Sequence, residues 1–182
     1  MRCSFSAIVA AGALLVTTLG SVETYAQKSG GILKMPDFAS PASMSIHEEA
    51  TRAAVTPLMG VFNNLVLFDQ HVPQNSLASV VPDLAIGWSW DETNTALTFR
   101  LHTGVRWHDG KPFTARDVKC TWDALAGKST EKFRLNPRRS WYRNLEEVTT
   151  NGDDEVTFHL KRPQPYLLAL LASGVSPVYP CT

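Results

Sequence analysis

Apolar and polar residues alternate along two stretches between positions 86 and 101, and this pattern predicts a β-hairpin. Large apolar residues stand at every second position on either side of the turn sequence DETN: Ile86, Trp88 and Trp90 before it, and Leu97, Phe99 and Leu101 after it. Because successive side chains of a strand point to opposite faces, these six share one face of the predicted hairpin.

A second hairpin is predicted over residues 145–160, in the sequence LEEVTT–NGDD–EVTFHL. The dipeptide Asn151-Gly152 favours a tight hairpin turn, since both residue types tolerate positive backbone φ angles. Three apolar residues of the second strand alternate with three polar ones: Val156, Phe158 and Leu160 with Glu155, Thr157 and His159. Each hairpin therefore has one apolar face that another layer must cover.

Residues 114–127 have the pattern of an amphipathic helix. Thr114 suits the N-cap position, Asp117 stands where a capping box places its acidic residue, and Gly127 suits the C-terminal end. The apolar positions between them fall on one helical face: Ala115, Val118, Trp122 and Leu125. This helix is available to cover the predicted hairpins.

The region before residue 83 has weaker signals. The sequence ILKM (32–35) predicts a short strand, residues 47–69 have helical spacing in part, and Pro57 would bend or end that helix. Residues 70–82 predict a loop. The buried stripe predicted for the helix comprises Ala50, Ala53, Ala54 and Leu58. The predicted fold class is α/β (α+β), with antiparallel hairpins packed against helices.

Residues 1–26 have the features of a secretory signal peptide. They carry one positive charge near the start, at Arg2, then an apolar run of 14 residues, and they end with the small residue Ala26. The alternative is a membrane anchor, but about 20 apolar residues are needed to cross the hydrocarbon core of a bilayer. We therefore expect an exported, soluble mature protein.

Two cysteines, Cys120 and Cys181, follow the predicted signal peptide. In an oxidising compartment such a pair suggests one disulfide, whereas in a cytosol both thiols would more commonly be free. On the predicted helix, Cys120 lies about 200° around from Val118, so it points away from the buried stripe. A Cys120–Cys181 disulfide is therefore a hypothesis at this point.

The charge of the chain gives no indication of a polyanionic partner. Seventeen basic and seventeen acidic residues cancel, and the balance is unchanged when residues 1–26 are removed. A basic cluster interleaved with Trp141 and Tyr142 raises the alternative of nucleic-acid binding: Arg134, Arg138, Arg139 and Arg143. Export and zero net charge favour a solvated helix and loop instead, so no nucleic-acid partner is predicted.

The stretch GVRWHDGKPFTARDV, residues 104–118, concentrates side chains that occur in active sites: His108, Asp109, Lys111, Arg116 and Asp117. One interpretation is a catalytic centre, and the other is a turn followed by the start of a helix. The composition of residues 108–112 is typical of a turn, and helix capping accounts for the second aspartate. The sequence contains neither HExxH nor GxSxG, so we predict no catalytic residue, metal or cofactor.

The same stretch, with LTFRLHTGV before it, resembles the signature tFxLRxGVkFHDGxPFTAxDV of family 5 bacterial extracellular solute-binding proteins, the peptide- and nickel-binding components of ABC importers. The two agree at Phe99, Leu101, Gly104, Val105, His108, Asp109, Gly110, Pro112, Phe113, Thr114, Ala115, Asp117 and Val118. Upstream, VPDLAIGWSW resembles the family's xPxLAxSW, GGILKM its first strand, and FNNLVLFD its YExLxxxD. The resemblance covers essentially all of residues 30–180.

The resemblance implies a two-lobed periplasmic binding protein that closes over its ligand, of which this chain would be an N-terminal lobe fragment. Residues 1–26 would be the signal peptide, residues 27–68 the first strand and helix of the main subdomain of lobe I, and residues 69–182 its smaller subdomain. The second lobe would be absent and the main sheet of the first lobe incomplete.

The implied function is a substrate-binding component that captures peptides or similar small solutes in the periplasm for an inner-membrane ABC permease, as a monomer without a cofactor. The family's SLDPH segment corresponds to residues 43–47, where Ser-Ile replaces Asp-Pro. The implied ligand-binding residues are Ser40, Pro41, Ala42, Ser43 and Met44. The alternatives are a gene fragment that binds no ligand and an exported hydrolase that uses His108 and Asp109.

Overall fold

The computed structural model describes residues 31–32, 34–130 and 132–181, and it divides into two compact units, residues 1–36 and 37–182. The described residues of the first unit belong to no helix or strand. The strand predicted at 32–35 is therefore absent from its described positions; Leu33 and the predicted signal peptide lie outside them. A strand needs a neighbour for its backbone groups, and no described strand pairs with this segment.

The second unit combines helices with antiparallel strands. Its described helices are α1 (Arg52–Leu58), α2 (Ala115–Ala126) and α3 (Leu167–Leu171), with 3-10 helices at Leu77–Ser79 and Arg139–Tyr142. Its strands are β1 (Val66–Phe68), β2 (Val80–Pro82), β3 (Ala85–Trp90), β4 (Ala96–Leu101), β5 (Leu145–Asn151) and β6 (Glu155–Leu160). None of the described helices has the length and hydropathy needed to cross a bilayer.

One sheet has four strands in the order β3–β4–β6–β5, and β1 pairs with β2 separately. Every strand pair in both sheets is antiparallel. Each predicted hairpin supplies two adjacent strands of the larger sheet, and β4 joins them by pairing with β6. The predicted mixed fold class, with antiparallel hairpins packed against helices, is confirmed.

β3 and β4 form the first predicted hairpin, and the apolar side chains of β4 are buried as predicted. The prediction is wrong for Ile86, whose side chain is 46% exposed. A bulge explains the difference. The register shifts between Ala85 and Gly87, so Ile86 is an extra residue that interrupts the alternation of faces in β3.

β5 and β6 form the second predicted hairpin, and Gly152 adopts the positive φ of 67° that its turn requires. The predicted apolar face is confirmed, since Val156 and Phe158 are both fully buried. On the other face, the hydroxyl groups of Thr157 and Thr98 share a hydrogen bond of 2.8 Å between β6 and β4. The polar face is thus linked across the middle of the sheet.

α2 begins and ends where the sequence predicts. The Thr114 amide donates to the Asp117 carboxylate at 2.8 Å, which is one half of a capping box. At the other end Gly127 adopts a positive φ of 73° and stops the helix. All four residues of the predicted apolar stripe have no exposed surface: Ala115, Val118, Trp122 and Leu125.

The segment before β1 differs from the prediction in two places. α1 begins only at Arg52, so Ala50 precedes the helix and is exposed, whereas Ala53, Ala54 and Leu58 are buried as predicted. Pro57 stands in the last turn, and α1 ends one residue later. The predicted loop at 70–82 contains a 3-10 helix and β2, because β1 provides a partner for a strand of only three residues.

The main core lies between α2 and the four-stranded sheet. The Trp122 ring of α2 meets the Phe158 ring of β6 edge-on, with 5.1 Å between ring centroids. Phe158 in turn meets Phe99 of β4 at 5.7 Å. These three aromatic side chains are fully buried and connect the helix to both central strands.

Replacing Trp122 with alanine is expected to lower the free energy of unfolding by about 3–5 kcal/mol, because it leaves a cavity at the centre of the core. Tyr166→Ala is the control, since the Tyr166 side chain is 66% exposed. Urea unfolding followed by circular dichroism measures both variants. Equal effects of the two substitutions would contradict the placement of Trp122 in the core.

Candidate functional site

Residues 107–111 form a turn after β4, as the composition of this stretch predicts. The Trp107 amide donates to the Lys111 carbonyl at 2.9 Å, and Gly110 adopts a positive φ of 85°. The Asp109 carboxylate accepts from the Lys111 amide at 3.0 Å and pairs with the Lys111 ammonium at 3.1 Å. These contacts with Lys111 lower the pKa of Asp109. Asp109 therefore stabilises the turn as a carboxylate.

The other acidic group of this stretch also has a structural role. Asp117 is buried, and its two carboxylate oxygens accept from the backbone amides of Thr114 and Cys181, each at 2.8 Å. His108 and Arg116 are exposed to solvent. Among the described residues, no group of three or more side chains could hold a metal ion. The five side chains of this stretch are therefore not gathered into one site.

An apolar pocket of about 360 Å³ lies beside this turn. Phe62, Trp107 and Phe113 line it, with His108 and Asp109 among the polar lining residues. The Trp107 indole nitrogen is buried without a hydrogen-bond partner among the described residues. The lining of this pocket suits contact with an apolar group.

The loop implied as the ligand-binding segment is open to solvent. Ser40, Ala42 and Met44 are exposed, while Pro41 and Ser43 are half-buried. In the described part of the chain, none of the backbone amides at positions 40, 42, 43 and 44 donates a hydrogen bond. Three of these residues, Ser40, Pro41 and Met44, line an open groove of about 410 Å³ with Pro57 and Leu58 of α1. The loop thus presents free backbone donors at the edge of a groove.

The end of this loop is fixed by contacts with distant parts of the chain. The Ile46 amide donates to the Tyr179 hydroxyl at 2.7 Å. The Arg138 guanidinium donates to the Ile46 carbonyl and, at 3.1 Å, to the Glu49 carbonyl. Arg138 and Ile46 are both buried. Residues 45–49 therefore hold the exposed loop in place.

His47 is the next anchor, and its ring is fully buried. Nε2 lies 2.7 Å from the Pro177 carbonyl, so this nitrogen carries the proton and donates it. The ring also packs on Tyr179, with 4.6 Å between centroids. Burial, with a smaller contribution from the charge of Arg138, lowers the pKa of His47 from 6.5 to about 4.

The residues that position the loop are ones that the sequence did not single out for this role. Tyr179 and Pro177 are more than 120 positions away from it, so no local pattern links them. Arg138 belongs to the basic cluster considered for nucleic acid, but its side chain turns inward. Nothing in the sequence distinguishes Arg138 from the other arginines of this cluster, so its burial could not be predicted.

The segment that carries Tyr179 is attached to α2. The sulfur atoms of Cys120 and Cys181 are joined, with 5.6 Å between the Cα atoms. The Tyr179 amide also donates to the Thr121 hydroxyl at 2.9 Å. Cys120 points away from the core stripe, as expected, and its formation of a disulfide in solution stays a prediction.

The chain matches the family model described as bacterial extracellular solute-binding proteins, family 5 Middle, over residues 79–180. This match covers more than half of the chain and includes the four-stranded sheet, α2 and the turn at residues 107–111. The chain therefore belongs to family 5 of the bacterial extracellular solute-binding proteins. Members of this family are binding proteins of ABC importers.

Two proteins illustrate the relationship at the level of sequence. A Brucella ovis protein that carries the name ABC transporter peptide-binding protein is 32% identical over 67% of this chain and 21% of its own length. The dipeptide-binding protein of Escherichia coli is 30% identical over 62% of this chain and 22% of its own length. The match thus spans about a fifth of the length of each of these two relatives.

Solved structures show the same fold at lower identity. HbpA2 of Haemophilus parasuis matches with a TM-score of 0.67 and 20% identity, over 78% of this chain and 30% of its own. The oligopeptide-binding protein AppA of Bacillus subtilis, in complex with a nonapeptide, has a TM-score of 0.65 and 23% identity, over 79% and 26%. The structural neighbours are two-lobed periplasmic binding proteins.

Acid is expected to weaken the fold through His47. The pKa of His47 is lower in the folded than in the unfolded chain, so its contribution is complete above pH 6.5 and is lost as the pH falls toward 4. The shift corresponds to about 3 kcal/mol of folding free energy. In His47→Gln, unfolding free energy measured between pH 7 and 4 should fall less steeply than in the wild type.

His71→Gln is the control for this experiment, because His71 is exposed to solvent. Its pH profile should follow that of the wild type. A wild-type profile that remains flat between pH 6.5 and 4 would contradict the burial of the His47 ring.

In an oxidising compartment we expect the two cysteines to form a disulfide. Alkylation of the denatured, unreduced protein should leave Cys120 and Cys181 unmodified, and prior reduction should expose both, as peptide mass spectrometry measures. Replacing both with alanine should lower the free energy of unfolding by about 2–5 kcal/mol, since the closed loop is long. Two freely alkylated thiols before reduction would rule out the disulfide.

Proposed function

We propose that this chain forms part of the ligand-binding surface of a periplasmic substrate-binding component for an ABC importer. Its ligand is a peptide or a similar small solute, and its partner is the inner-membrane permease. Residues 1–26 direct export, and the protein acts as a monomer without a cofactor. Family membership supports the class of function, and the names of the Brucella and Escherichia relatives support the ligand class.

The observation that carries the proposal is the loop at residues 40–44. Its free amides are donors without internal partners, and the carbonyl groups of an extended peptide are suitable acceptors for them. The exposed Met44 side chain adds an adaptable apolar contact at the groove beside α1. Donors on a loop that is already held in place lose little conformational freedom when they bind.

The position of the loop explains how it can be open and still well defined. Ile46 and His47 are fully buried, and they are fixed by Tyr179, Arg138 and Pro177. The bound segment would therefore meet backbone donors supported by a rigid base. Ser45 and Ile46 replace the family's Asp-Pro pair, so we assign ligand preference to the shape of this loop.

The contacts of the residues around His108 do not favour the hydrolase alternative. Asp109 is engaged by Lys111, and Asp117 by two backbone amides. A general base needs an orienting partner and a nucleophile within hydrogen-bond reach. His108 has no described partner that could orient it, so we assign these residues to folding.

We expect peptides to bind this chain weakly and at the loop. In a two-lobed binding protein both lobes contact the ligand, and the loop at residues 40–44 supplies contacts from one side only. Calorimetry with a peptide pool should therefore show no saturable heat at micromolar concentrations. At higher peptide concentrations, the backbone amide resonances of residues 40 and 42–44 should shift in NMR spectra. Ala42→Pro removes one free donor and should weaken this binding about fivefold.

Ala42→Ser is the matched control, because serine keeps the backbone N–H at the same position. It should bind peptide like the wild type. Shifts that avoid residues 40–44, or an unchanged affinity of Ala42→Pro, would refute the assignment of this loop.

A further inference from the structure

The basic cluster in the sequence separates into parts with different roles in the structure. Arg138 is buried and holds the loop at residues 46–49. Arg139 and Arg143 remain exposed and line a cavity of about 600 Å³. Arg134 does not line this cavity. The exposed part of the cluster therefore belongs to a pocket that neither the fold nor the proposed function requires.

Four cationic residues from different elements line this pocket. Lys128 follows α2, Arg139 begins a 3-10 helix, Arg143 follows that helix, and Lys161 follows β6. The remaining lining residues are Ala126, Asn136, Pro137, Ser140, Tyr142 and Leu145. Among the described residues no acidic side chain lines the pocket, although the chain as a whole has zero net charge.

The cations that line this pocket form no side-chain ion pair among the described residues. In the described part of the chain, the side-chain ion pairs are Lys111–Asp109 and Lys119–Asp123, and neither involves a residue of this pocket. Like charges held near each other repel, and an anion between them relieves the repulsion. The pocket is thus electrostatically prepared for a negative group.

Two of the four cations are held by specific contacts. The Arg139 guanidinium lies over Gly127, where an added Cβ atom would be 2.8 Å from Arg139 Cζ. This position also places its charge at the C-terminal end of α2, where cations are favourable. The Lys161 ammonium donates to the Arg143 carbonyl at 3.1 Å, which brings the two residues together and leaves further N–H groups available.

We propose that this pocket binds a small soluble oxyanion of the phosphate class, such as a molecule with one or two phosphate groups. Arginine offers paired donors that match the oxygens of phosphate, and lysine adds a compact charge. The exposed Ser140 also lines the pocket, and its hydroxyl is a further donor there. A concave site suits a soluble anion better than a flat membrane surface does. The proposal is independent of peptide binding at residues 40–44.

The test uses inorganic pyrophosphate as the probe and the intact chain as the protein. Isothermal titration calorimetry should show saturable binding that weakens as salt is added, since the contacts are ionic. Arg143→Gln and Lys161→Gln should each weaken the binding about tenfold, the effect of losing one charge-assisted contact. NMR shifts should centre on residues 126–128, 139–145 and 161.

Arg162→Gln is the matched control, because it removes the same charge one position away from Lys161 and does not line the pocket. It should bind pyrophosphate like the wild type. Lys161→Gln removes the contact with the Arg143 carbonyl and could therefore lower the melting temperature. In that case the binding result of Arg143→Gln is used, because this variant retains the carbonyl at position 143.

Three results would overturn the proposal. The first is an absence of saturable binding, and the second is equal weakening by Arg162→Gln, which would indicate a general effect of surface charge. The third comes from a parallel experiment with vesicles of phosphatidylcholine and phosphatidylglycerol. Binding to these vesicles without binding to pyrophosphate would assign the pocket to a lipid headgroup instead.

Discussion

The apolar face of the four-stranded sheet must be covered, and α2 covers it with a stripe of fully buried side chains centred on Trp122. Other features depend on this contact. Another face of α2 carries Thr121, which accepts a hydrogen bond from the Tyr179 amide, and Cys120, the predicted disulfide partner of Cys181. The segment at residues 177–181 carries Tyr179, which positions the loop at residues 40–47. The hydrophobic core therefore supports the candidate binding loop indirectly, first through α2 and then through the segment at residues 177–181.

Features that depend on neighbours in sequence could be predicted, and features that depend on distant contacts could not. The two hairpins follow from period-two alternation, and the ends of α2 follow from Thr114, Asp117 and Gly127. The exposure of Ile86 depends on a bulge in the pairing with β4, and β2 exists only because β1 lies beside it. Such outcomes are decided by tertiary partners, which the local pattern does not contain.

The candidate site shows the same division. The loop at residues 40–44 could be located because a motif resembles that of the family, whereas the contacts by which His47, Arg138 and Tyr179 anchor it could not be predicted. Because Arg138 is buried, the arginine cluster is not one solvated surface. Adjacent arginines at a tight 3-10 segment face different surroundings. Residue type alone therefore gave the charge of this region but not its distribution between core and pocket.

The attachment of residues 177–181 to α2 also has a mechanical consequence. The bond from the Cys181 amide to Asp117 lies beyond Tyr179 in the chain, and so would the predicted disulfide at Cys181. A force applied at Cys181 is therefore carried into the helix before it reaches the tyrosine. We expect this arrangement to shield the loop at residues 40–47 from tension applied in this direction.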